Sequence, residues 1–267
     1  MARNTDGRSV KAVEHSMEIL DLLQQSGGAS LSTIADAVDL APGTVHTHLA
    51  TLSTYDYVVK RDGRYYLSPQ LVTVGERARS QEPLYDAGKD PIQNLADETG
   101  ETAHLIREFD CRILPVYEVF GERAIGVDYH VEKRERLVRH LHCTASGKAI
   151  LSQLPAEDID RIVERHGLVK RTPNTIDEKD ALLDELDAVD ERGFAIADEE
   201  QMLGIRAVGV PVMRVDGTPA GAISVSGPTS RLKGSYLTEE LPEMVTRATN
   251  VTEIKLNRER RSDSGGK

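Results

Sequence analysis

The chain has no tryptophan, three phenylalanines, two cysteines and ten lysines in 267 residues. Each shortage excludes something. Cys111 and Cys143 form no CxxC, so a disulfide scaffold, a cysteine-rich zinc module and an iron–sulfur centre are excluded, and a cytoplasmic chain is expected. No apolar run approaches the ~20 residues of a membrane span. The opening MARNTDGRSVKAVEH lacks the apolar stretch of a secretory signal. The Ser-Gly-Lys at 146–148 is no phosphate loop: the pattern GxxxxGK[ST] would need Gly at 142 and Ser or Thr at 149, where the chain has His142 and Ala149. There is no GxSxG elbow and no HExxH. Nothing orients Asp128, His130 and Cys143 as nucleophile and base, so no catalytic residue, no cofactor and no enzyme is expected.

Positive charge is also scarce. The 33 Lys and Arg face 44 Asp and Glu, a formal charge of −11, which at first argues against a nucleic-acid binder. The deficit is local. Residues 1–80 hold eight basic and nine acidic residues, a net of −1, and the remainder holds 25 and 35, a net of −10. Arginines (23) outnumber lysines (10). An acidic, lysine-poor surface suits a protein kept soluble in concentrated salt, with an ordinary acidic protein as the plainer alternative.

At roughly 100–200 residues per domain the length suggests two domains, and the composition breaks near Ser80-Gln81-Glu82-Pro83. The first part predicts a helix over Lys11–Gln25 with Val13, Met17, Leu20 and Leu23 or Ile19 inward, ended by Gly27-Gly28. A second helix, Leu31–Val38, can be capped by Ser30 or Ser32. A third starts at Pro42, where proline is favoured, and buries Val45, Leu49 and Leu52 before Tyr55. Tyr57–Ser68 then predicts a hairpin through Asp62-Gly63, since both central positions want φ > 0. Three helices plus a hairpin make a winged helix-turn-helix, with the third helix in a major groove and the wing beside it. A small helical interaction domain is the other reading of the pattern.

The second part predicts strands at Thr102–Phe109, Arg112–Phe120, Ala124–Val131 and Leu137–Leu141, then helices at Ala145–Gln153, Pro155–His166 and Asp177–Gly193. Further strands at Phe194–Ala197, Ala207–Val215 and Pro219–Ser226 and a helix over Thr238–Arg258 complete an α+β domain around an antiparallel sheet.

Four stretches in this order carry a resemblance: LSTIADAVDLAPGTVHTHLATLSTYDYVVKRDGRYYLSP, TASGKAILSQLP, RGFAIADEEQMLGIRAVGVPV and GAISVSGPTSRL. Over about Val10 to Ser262 the chain resembles the IclR family of transcriptional regulators. That implies a winged helix-turn-helix over 10–70, a linker helix region over 71–90 and a GAF-like effector-binding domain over 91–258; the low-complexity tail, 259–267, reads as disordered from its own composition. The resemblance also implies a dimer or tetramer on a palindromic double-stranded operator, with no membrane role. A GAF-type sensor acting through protein partners is the alternative.

The chain departs from the family where its recognition helix begins. The family's Lys-Ser-Thr-Val-His-Arg-like run is here Pro42-Gly43-Thr44-Val45-His46-Thr47, so two cations are missing. Base readout falls to Thr44, His46, Thr47 and His48, with Lys60, Arg61 and Arg64 on the wing. Counterion release weakens as salt rises, so neutral contacts lose little in molar salt.

The resemblance also implies an effector site. Gly147 would open a helix beside the ligand, where backbone N–H groups suit a carboxylate. Ser224 and Ser226 share one strand face. Asp198 would accept from a ligand hydroxyl, Ala207 stands where some members have cysteine, and Leu141 would line an apolar wall. Glu199 and Glu200 read as a solvated acidic loop. This set favours a small carboxylated metabolite, such as a sugar acid or short organic acid, and control of a catabolic operon. His130, His140, His142 and Cys143 could hold zinc if Leu137–Cys143 were a strand; polar strand residues near a pocket is the reading preferred.

Overall fold

The computed structural model describes residues 9–125 and 140–264. It divides into two compact units between Ala78 and Arg79.

The first unit begins with α1 (Lys11–Ser26), the two-residue strand β1 (Ala29–Ser30) and α2 (Leu31–Val38). The helix α3 (Pro42–Thr54) follows, then β2 (Val58–Arg61), β3 (Arg64–Leu67) and α4 (Gln70–Arg79). Ser30 caps α2 by accepting from the Thr33 N–H at 3.1 Å. Asp39 takes a left-handed φ of 51° to end α2, and Pro42 opens α3. The hairpin turn has φ of 49° at Asp62 and 78° at Gly63, both positive as a two-residue turn of this type requires. The core joins Ile19 and Leu23 of α1 to Ile34, Ala35, Val45, Leu49, Val58 and Tyr65. Val13 and Met17, expected inside, are exposed. The buried stripe is set by Ile19 and Leu23, four apart, with the half-buried Leu20 beside them.

The second unit is a five-stranded, wholly antiparallel sheet in the order β5-β4-β8-β7-β6. The strands are β4 (Thr102–Phe109), β5 (Arg112–Phe120), β6 (Ala195–Asp198), β7 (Ile205–Met213) and β8 (Pro219–Pro228). One face packs on α5 (Pro83–Thr99) and on the last helix α9 (Leu241–Ser264), which follows a π-helical turn at Tyr236–Glu240. The other face packs on α6 (Ala145–Leu151), backed by α7 (Ala156–His166) and α8 (Lys179–Arg192). Each face has its own apolar core. Leu105, Val208, Ile223 and Val225 belong to the α5/α9 side, and Ala195, Ala197 and Ala222 to the α6 side.

Three boundaries differ from expectation. The expected linker helix region over 71–90 is two helices, and α5 buries Leu84, Ala87, Ile92 and Leu95 in the second unit, which therefore begins near Arg79 and not at 91. The expected disordered tail over 259–267 is helical as far as Ser264, because its Arg-Glu-Arg-Arg run favours helix and the first glycine comes only at 265. The strand expected at Ala124–Val131 falls mostly outside the described residues, as does that at Leu137–Leu141, and the described ends are not strand. Asp128 and His130 also lie outside them. No described helix is long and apolar enough to cross a membrane.

Candidate functional site

Thr44, His46 and Thr47 stand exposed on α3, a helix with no Lys, Arg, Asp or Glu. Three of its four threonines turn their hydroxyls inward. Thr47 donates to the Gly43 carbonyl at 3.0 Å, Thr51 to that of Thr47 at 3.0 Å, and Thr54 to that of Ala50 at 2.9 Å. Thr47, Ala50, Thr51 and Thr54 are spaced i, i+3, i+4 and i+7, so the outer stripe offers methyl groups. A methyl stripe suits contact with the thymine methyl more than a bidentate grip on guanine. His48 is engaged elsewhere. Ser16 gives its hydrogen to the Ala12 carbonyl at 3.0 Å, so His48 Nδ1 donates to the Ser16 oxygen at 2.9 Å and ties α3 to α1.

The wing supplies the cations. Lys60 Nζ sits 5.1 Å from the centre of the Tyr65 ring. Arg64 Nη2 donates to the Gly28 carbonyl at 2.6 Å, which half-commits it to the fold. Arg61 lies directly across the hairpin from Arg64 and is exposed. Two like charges facing one another are unfavourable in the free protein and are relieved by an anion such as phosphate.

In the second unit, strand register decides which residues meet. Ser224 lies opposite Gly209 and His104, and Ser226 opposite Ala207 and Thr102. Opposite residues share a face. A side chain at Gly209 would run into the backbone of Ala145 and Ser146, so this is the α6 face. Leu141, 1% exposed, lies there too, with its carbonyl so close that a Cβ at Gly147 would stand 2.1 Å from it. Leu141, Gly147, Ala207, Ser224 and Ser226 are thus brought to one side of the sheet. The Gly147 N–H is not free for a ligand: it donates to the capping Thr144 Oγ1 at 3.0 Å. His104 and Glu118 complete the polar wall, with Nδ1 2.9 Å from Glu118 Oε1 and Nε2 2.8 Å from Ser226 Oγ. Neither histidine nor glutamate was singled out by motif; only the β4–β5 register, which pairs His104 with Glu118, exposes them.

Asp198 is not on this face. It pairs with Arg206 across β6 and β7, taking Nε at 2.6 Å and Nη2 at 3.2 Å, and is exposed on the opposite side. Glu200, expected in a solvated loop, is 6% exposed. Its Oε1 accepts from Lys148 Nζ at 2.7 Å, and that same ammonium reaches Glu185 at 3.0 Å. Lys148 is 1% exposed, and burying it requires both carboxylates. Burial pushes the Glu200 carboxyl above its ordinary value while Lys148 pulls it back. Burial and Glu200 together push the Cys143 thiol up to about 12, so it is no nucleophile.

His140 and His142 do not alternate on a strand, because residues 140–143 form a turn. Their rings lie 5.5 Å apart, with His166 6.5 Å from His140. Burial, then His142 and His166, lower His140 to about 4. His142 is lowered by burial, and its Nε2 donates to the Val169 carbonyl, 3.3 Å away. Among the described residues no group of three or more His, Cys, Asp and Glu is arranged to hold a metal.

Comparison with known proteins bears on both units. Residues 12–62 match the family model described as IclR helix-turn-helix domain, and residues 77–252 match that of the bacterial transcriptional regulator IclR C-terminal. The chain is 35% identical over 256 residues to a probable HTH-type transcriptional regulator, ArcR, from Halobacterium salinarum, covering 96% of this chain and 97% of that one. Among solved structures, the IclR of Thermotoga maritima superposes with a TM-score of 0.73 at 28% identity, over 92% of this chain and 98% of that one. An IclR homologue from Microbacterium hydrocarbonoxydans, solved with 4-hydroxybenzoate, shares the fold at 17% identity and a TM-score of 0.76, over 92% and 98% of the two chains. Family models that together span both units, and a relative aligned over nearly the whole length, lead to one conclusion: this chain belongs to the IclR family of DNA-binding transcriptional regulators.

Proposed function

We propose that the chain is a cytoplasmic, ligand-responsive regulator that binds a palindromic operator as a dimer or tetramer. Its second unit takes a small carboxylated metabolite, a sugar acid or short organic acid, and it controls an operon that degrades such compounds. The observation that carries this is the polar wall of His104, Glu118, Ser224 and Ser226 on an otherwise apolar sheet face, beneath the N-terminal end of α6. Two hydroxyls beside an imidazole and a carboxylate suit an oxygen-rich ligand better than a flat apolar one. Base contacts are assigned to Thr44, His46 and Thr47, and phosphate contacts to Lys60, Arg61 and Arg64.

Thermal-shift screening of the full chain tests the effector class. Stabilisation by sugar acids or short organic acids, lost in Ser224→Ala and Ser226→Ala, is the expected result. Stabilisation by an aromatic acid alone would overturn it. Electrophoretic shifts at high salt, on DNA upstream of the chain's own gene, test the interface. Specific binding should weaken there in Thr44→Ala and Thr47→Ala, and at low salt in Arg61→Ala, and an unchanged shift in all three would reject this docking.

A further inference from the structure

The wall beneath α6 contains a directed chain of hydrogen bonds. His104 is 7% exposed and the Glu118 side chain 1%, so both are set within the protein. The carboxylate of Glu118 meets Nδ1 at 2.9 Å and Ser226 Oγ meets Nε2 at 2.8 Å. An ionised carboxylate has no hydrogen to give, so Nδ1 carries the proton. In the neutral ring Nε2 is then an acceptor, and Ser226 must spend its single hydrogen on it. What remains on the Ser226 oxygen is a lone pair. Ser224, 4% exposed and two residues away on the same face, keeps a rotatable hydroxyl.

We propose that Glu118 and His104 set the Ser226 hydroxyl as a hydrogen-bond acceptor, which fits this face to the O–H of a 2-hydroxy acid and against the matching 2-oxo acid. This rests on the reading that the effector sits on the α6 face. A ligand hydroxyl donates to Ser226 Oγ. A ketone oxygen in the same place sets lone pair against lone pair and leaves a desolvated acceptor unpaired. His104 and Glu118 act through Ser226 and are positioning residues.

The test is calorimetric titration of the full chain with two matched pairs of probes, lactate against pyruvate and 2-hydroxybutyrate against 2-oxobutyrate. The hydroxy acid should bind at least about tenfold tighter within a pair. Glu118→Asp keeps a carboxylate and should keep that preference. Glu118→Gln can offer an N–H to Nδ1, moves the ring proton to Nε2 and should erase or invert the preference; loss of overall affinity alone would mark a merely structural role. Equal binding within each pair, or a preference for the oxo acids, overturns the inference while leaving a carboxylated effector in place. Failure of all four probes to bind overturns both that reading and the preference resting on it. Long-range proton–nitrogen spectra of the histidine rings, assigned through His104→Gln, need no ligand: a neutral ring protonated at Nδ1 supports the assignment, and one protonated at Nε2 defeats it.

Discussion

The two units handle charge in opposite ways. In the first, no acid, lysine or histidine is buried among the described residues: the core is apolar, the reading helix is uncharged and the cations sit on the wing tip. In the second, which also carries the acidic excess, Glu101, His104, His142, Lys148 and Glu200 are all buried. A reading head that works against DNA in concentrated salt gains little from long-range charge, because screening removes it. A sensing unit needs charge inside, where solvent and salt do not reach. The difference teaches that this protein's ionic vulnerabilities belong to its sensor and not to its reader.

The largest effect should come from Lys148→Met. Removing the ammonium leaves Glu200, 6% exposed, without its cation, while Glu185 keeps Arg192 at 2.9 Å. Breaking a buried pair from one side costs about 3–5 kcal/mol. Hydrogen exchange should show that loss around α6, α8 and β6, with α2 and α3 unchanged. Adding Glu200→Gln should recover part of it, because the pair is coupled. Equal loss in both units would break the comparison.

That network also shows where the sequence could not be read. β4 and β5 and the helices α2 and α3 were legible, because alternation, helical spacing, Pro42 and the Asp62-Gly63 turn are local signals. The ion pair of Lys148 and Glu200 joins residues 52 apart that no local pattern connects. Glu200 in an acidic run looked solvated for that reason. Asp198 and Ser226 were grouped by motif, yet register puts them on opposite faces, and register is a property of the folded sheet. The same limit hid His104 beside Glu118.

The next effect is acid sensitivity. His140 is lowered from 6.5 to about 4 in the fold, so as pH falls the unfolded chain takes up its proton first. Stability from this group is complete above its ordinary value and is lost between about 6.5 and about 4. Burial lowers His142 in the same direction. Denaturant unfolding followed in the second unit should weaken across this window, and His140→Asn should flatten the profile. A first unit that weakens equally over the same window would remove the contrast.

A smaller effect belongs to the first unit. Ser30→Ala removes the oxygen that accepts the Thr33 N–H and should cost about 1 kcal/mol. Exchange should speed up in α2 while α6 and the five-stranded sheet keep their protection. Loss spread over both units would mean that they unfold together.

The smallest effect, at the salt where this protein is expected to work, is that of Arg61→Ala on DNA affinity. Each neutralised phosphate adds about 0.9 to the slope of log affinity against log salt. Losing one such contact in each of two half-sites should lower the slope by about 1.8 and weaken binding about sixtyfold at 0.1 M salt relative to 1 M. At molar salt the variant and the parent should bind alike, and the loss at low salt should be the same on every sequence, because a phosphate contact carries no base information. Thr47→Ala differs in kind: its contact is a methyl and an oxygen, so its loss should persist at molar salt and fall on the specific operator alone. Fluorescence anisotropy across the salt range separates the two. If Arg61 still mattered at molar salt, or the parent's slope greatly exceeded what its three wing cations can supply, the reader would depend on charge as the sensor does.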